Sequence, residues 1–109
     1  MMDIQSTDYW VKILDNHQEN WALLEPSGFT DGCTVFFLGS NSGVFDRLRF
    51  HKTSTALDEL RLNGFHRLSE NQRARELYEV PPQPPFFEWQ HANGPIYSSG
   101  RFWRNLGER

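Results

Sequence analysis

The chain has 109 residues, 38% of them hydrophobic and 15% aromatic, enough for one domain with a single core and too apolar for a disordered chain. A lone cysteine excludes an internal disulfide, and no apolar run approaches the ~20 residues of a membrane-spanning helix; with no basic-then-apolar leader at its start, the chain reads as a soluble cytoplasmic protein. The formal charge of −3 is unevenly laid out: residues 1–31 carry six acids against Lys12, whereas residues 32–68 carry five bases and three acids.

Tyr9 to Leu14 is rich in aromatic and β-branched residues, and the polar stretch Asp15 to Asn20 separates it from a second apolar run, Trp21 to Leu24. Strand, turn and strand is the reading; the rival is an amphipathic helix from Asp8 to about His17, because Trp10, Ile13, Leu14 and His17 share a helical face. Pro26-Ser27-Gly28 and Asp31-Gly32 mark a loop into a third strand around Thr34 to Leu38. That strand is apolar at both parities, as a strand covered on both faces would be. Gly39 to Gly43 supplies two glycines and Asn41 for a hairpin turn into a fourth strand, where alternation puts Val44, Asp46, Leu48 and Phe50 on one face and Phe45, Arg47, Arg49 and His51 on the other. Asp46, on an apolar face, needs a hydrogen-bonding or charged partner, because burying it alone would cost several kcal/mol.

Thr55 and Asp58 fit a capping box, Ala56, Leu57 and Leu60 recur at helical spacing, and Asn63-Gly64-Phe65 supplies a helix ending, so a helix is expected at roughly Ser54 to Asn63. A second capping box at Ser69 opens another at Glu70 to Tyr78, which Pro81-Pro82-Gln83-Pro84-Pro85 terminates as a stiff polyproline II connector that lays Phe86, Phe87 and Trp89 across the body. The expected fold is α+β: a four-stranded antiparallel β-meander over about Tyr9 to His51, packed by two helices, with an extended aromatic C-terminal tail from Ile96 to Arg104.

No catalytic or cofactor motif stands out. His17, His51, His66 and His91 are too widely spaced for a metal site, and Cys33, leading into a buried strand, reads as packed and not nucleophilic. The Gly39 to Gly43 loop lacks the lysine and following helix of a phosphate-binding loop. Neither catalytic residues nor a cofactor are therefore assigned. One alternative is a small nucleic-acid-binding or RNA-processing protein using Arg49, His51, Arg101 and Arg104, in which Arg101-Phe102-Trp103-Arg104 interleaves cations with stacking rings. The overall acidity opposes it, because phosphate neutralisation needs clustered bases.

Recognition of another protein remains. Tryptophan, tyrosine and arginine dominate interface energetics, and nine of the eleven basic residues are arginine. The stretches WVKIL (10–14), NWALLEP (20–26), FFLGSNSGVFDRLRF (36–50), LRLNGF (60–65) and GPIYSSGRFW (94–103) give the chain a composition and layout that resemble the immunity proteins of bacterial toxin systems, notably those of contact-dependent growth inhibition. The resemblance implies a cytoplasmic inhibitor that occludes or remodels the active site of a cognate toxin, often a nuclease. For a basic partner of that kind, the acidic N-terminal third offers Asp8, Asp15, Glu19 and Glu25 as contact residues.

Overall fold

The computed structural model describes residues 2–13, 19–70 and 81–90. Four antiparallel strands run in chain order, β1 (Tyr9–Ile13), β2 (Glu19–Pro26), β3 (Cys33–Leu38) and β4 (Gly43–Phe50), followed by helix α1 (Thr53–Leu62). Two further strands, β5 (His66–Arg67) and β6 (Phe87–Glu88), extend the edges, giving a six-stranded sheet of order β5-β1-β2-β3-β4-β6. β5 pairs antiparallel to β1 and β6 parallel to β4, so the sheet is mixed.

This corrects the expected four-stranded meander packed by two helices. Each added strand is two residues long and pairs across a wide gap in sequence, a signal with no local periodicity to read. Of the residues that the proline connector was expected to lay across the body, Phe86 is fully buried and bridges to Met2, and Phe87 pairs with Gly43 as part of β6. One helix is present among the described residues. The second, expected at Glu70 to Tyr78, falls outside them apart from Glu70, which closes a 3-10 turn at Leu68–Glu70; the aromatic tail also lies outside. At Tyr9 to Ile13 the strand reading holds against the helical rival.

β3 is the centre because its side chains are apolar on both faces. Cys33, Val35 and Phe37 meet Trp10, Ala22, Leu24, Leu48 and Phe50 beneath α1, which contributes Ala56 and Leu60. Phe36 and Leu38 join Tyr9, Val11, Trp21, Leu23 and Val44 on the opposite face, which Ile4 and Phe86 cover. Each fully buried leucine or phenylalanine contributes roughly 1.5–3 kcal/mol before entropy.

A bulge in β4 changes the expected alternation. Leu38 pairs with Val44 but Phe37 pairs with Asp46, so Phe45 is the extra residue and Val44 turns to the face away from α1. Phe45 packs against the helix-side core, and Asp46 Oδ1 accepts the Arg47 amide at 2.8 Å. In the turn before the bulge the positive φ does not fall on a glycine. Ser42 takes the positive φ of 70°, while Gly39 and Gly43 make room for Trp89, whose atoms a Cβ at Gly43 would meet at 2.5 Å.

α1 begins at Thr53 with Lys52 as its N-cap residue and no side-chain cap, so the capping box expected at Thr55 is not its start. Its ending follows the sequence closely. Gly64 has φ 93°, its amide reaches Arg61 O at 3.1 Å and the Phe65 amide reaches Leu60 O at 2.9 Å, the paired bonds of a Schellman motif.

Candidate functional site

The acidic residues expected to face a partner are placed separately. Asp8 takes a bidentate pair from Arg67, Nε to Oδ1 and Nη2 to Oδ2, both at 2.9 Å. Glu25 Oε1 accepts the Gln5 and Ser6 amides at 2.6 and 3.0 Å, pinning the N-terminal segment against the end of β2. Glu19 opens β2 opposite Ile13, and Asp15 lies outside the described residues. Two of the four carboxylates therefore hold the fold.

Around Arg67 the charges close on themselves. Arg67 also reaches Glu70 at 3.1 Å, Arg61 reaches Glu70 at 3.0 Å, and both guanidiniums lie 5.4 Å from the Trp10 ring centroid. Hydrogen bonding to Asp8 raises the Arg67 pKa, and hydrogen bonding first to Arg61 and then to Arg67 lowers that of Glu70. His66 shares a cleft of about 330 Å³ with these groups, but Glu70 is held ionised there, which does not suit it to deliver a proton near neutrality. Cys33 is buried, and burial pushes its thiol up, away from the thiolate that nucleophilic chemistry needs. No cluster of three or more metal-ligating side chains occurs among the described residues, and no described helix is long and apolar enough to cross a membrane.

The end of β4 is arranged differently. A cleft of about 610 Å³ opens between the β2–β3 loop, through Ser27 and Thr30, and the C-terminal half of β4, through Arg47, Arg49 and His51. Leu48 and Phe50 are also among its lining residues, and no carboxylate lines the cleft among the described residues. Arg47 is held by Glu88 and lies 5.7 Å from the Phe36 ring centroid. Arg49 is exposed and has no ion-pair partner among the described residues. Arg49 and His51, paired in the nucleic-acid alternative, do share this cleft; Arg101 and Arg104 lie outside the described residues.

At the tip of the loop stands Phe29, 98% exposed. Its backbone is nonetheless fixed. Ser27 Oγ accepts the Phe29 and Thr30 amides at 3.2 and 3.0 Å and shares a hydrogen bond with Thr30 Oγ1 at 2.8 Å, and Thr30 Oγ1 accepts the Gly32 amide at 3.1 Å. The Thr53 amide, at the start of α1, donates to Asp31 O at 2.7 Å, tying the loop to the helix. Gly28 supplies the positive φ of 85° that the turn requires, and a Cβ at Gly32 would meet Phe50 O at 2.5 Å.

Sequence reasoning missed Phe29. The available signal was an aromatic side chain stranded among Ser27, Gly28, Thr30 and Asp31, in a stretch with no apolar period to bury it. No family model, curated protein or solved structure matches the chain.

Proposed function

We propose that the protein is a small cytoplasmic protein-binding module, an immunity protein that binds and neutralises a cognate bacterial toxin. The observation that carries the reading is Phe29, an aromatic side chain left almost wholly in water on a loop whose backbone is already ordered. Burying such a side chain on a partner contributes about 1.5–3 kcal/mol, and a fixed loop avoids the ordering entropy that a mobile one would lose. Phe29 also stands beside a cleft lined by arginine, a residue type that dominates binding energy at interfaces. The layout of the chain that resembles growth-inhibition immunity proteins directs the choice of partner.

The test is growth protection. The C-terminal domain of the protein encoded immediately upstream is expressed with and without this chain, and the two are purified together. Growth restored only in the presence of the chain, with a stable stoichiometric complex, supports the proposal; neither protection nor a complex would falsify it. Tight, salt-sensitive binding to single-stranded RNA or DNA in a filter titration favours the nucleic-acid alternative instead.

A further inference from the structure

We infer that the partner docks in the cleft between the Phe29 loop and β4, and that it presents carboxylates there: an acidic face of a protein, in place of the basic one the N-terminal charge suggests. The inference rests on the protein-binding reading and names the surface and the partner's chemistry.

Three observations converge on it. The carboxylates that would attract a basic partner are partly engaged, Asp8 neutralised by Arg67 and Glu25 held by the Gln5 and Ser6 amides, so fewer of them are free to meet a partner than the composition implies. The cleft has the opposite character: Arg47, Arg49 and His51 line it and, among the described residues, no carboxylate does. Arg49 is exposed without an ion pair among the described residues, whereas Arg61 and Arg67 are both paired. The third observation is spacing. Arg47 and Arg49 are alternate residues of one strand, so their backbone origins are about 7 Å apart, the same repeat as alternate side chains of an extended acidic segment. A partner segment with carboxylates two residues apart would set one on Arg49 and the other beside Arg47, whose guanidinium already carries Glu88, and a neighbouring apolar side chain would cover Phe29. Arg47, already steadied by Glu88 and Phe36, serves as the fixed end of this pair, and Arg49 supplies the uncompensated charge.

The experiment uses the full chain, isotope-labelled, titrated with three probes: a short peptide with glutamate at alternate positions and leucine between, the same peptide with glutamine for glutamate, and single-stranded RNA. The glutamate peptide is expected to move the amide signals of residues 27–32 and 47–51, with the glutamine peptide at least tenfold weaker. Arg49→Glu should abolish the response and Phe29→Ser reduce it severalfold, each with an unchanged unfolding midpoint. Shifts confined to other residues, or no shifts, overturn the cleft assignment. RNA moving the same amides at lower concentration than the peptide overturns both the assignment and the protein-binding reading. In the growth-protection assay, full protection by the Phe29→Ser, Arg49→Glu double variant rejects the cleft while leaving the protein-binding reading intact.

Discussion

The β5 edge and the β4 region hold the same kinds of residue and dispose of them in contrasting ways. At the β5 edge, Arg61 and Arg67 are folded back on Asp8, Glu70 and the Trp10 ring, so that cations, carboxylates and aromatic surface satisfy one another. Along β4, Arg49 is left without such a partner among the described residues, and the nearby aromatic, Phe29, points into solvent. The two regions differ in pairing and not in composition, with Arg47 and Glu88 the one ion pair along β4 among the described residues. An arginine enclosed by two carboxylates has little attraction left for a third.

The most severe way to break the contrast is to remove the support both edges share. Phe37 is fully buried in the central strand, with its ring 6.1 Å from that of Phe65. Phe37→Ala should cost about 3–5 kcal/mol in urea unfolding, loosening both sides together. A loss below about 1 kcal/mol would mean that the helix-side core is not organised as described.

Arg67→Ala should destabilise by about 2 kcal/mol, because it leaves the part-buried Asp8 without its bidentate donor and uncovers Trp10. Arg49→Ala should change stability by no more than about 0.5 kcal/mol. Equal losses from the two substitutions, measured by the same unfolding curves, would erase the distinction between the edges.

The pH dependence sharpens the same comparison. Glu70 has its folded pKa lowered from the ordinary 4.5 by Arg61 and then Arg67. Its contribution is therefore fully present above the unfolded value and is lost as pH falls through the lower folded one. Stability should decline on the acid side of pH 4.5, and in Arg61→Ala this limb should be shallower; an unchanged limb would exclude the Glu70 pairing as its source. Phe29→Ser, the mildest change, should leave the unfolding midpoint where it is, since the side chain is 98% exposed, while weakening a protein partner's binding about tenfold or more. A clear drop in thermal stability would show that Phe29 packs within the fold.

Much of the sheet was legible because its signals are local. The apolar run at β3, the glycine-rich turn after it and the Gly64 helix ending each depend on a few neighbouring residues, and each appears near its expected place. The bulge was not legible. Alternation assumes one residue per partner, and the extra residue Phe45 reverses the parity of Val44 relative to Asp46 and Leu48 without any mark in the sequence. β5 and β6 were hidden for a related reason: their register comes from strands far away in the chain. The candidate surface was half legible. Arg47, Arg49 and His51 stood out at strand spacing, but the count of acids near the N-terminus could not show that Asp8 and Glu25 had internal partners.

The loop that carries Phe29 has an evolutionary consequence. Its shape comes from the hydroxyls of Ser27 and Thr30 and from main-chain groups, none of which involves the side chain at position 29. That side chain can be exchanged for another without drawing on the narrow stability margin that constrains change in the core. Descendants of this chain could therefore vary the side chain displayed at this tip while inheriting the same architecture.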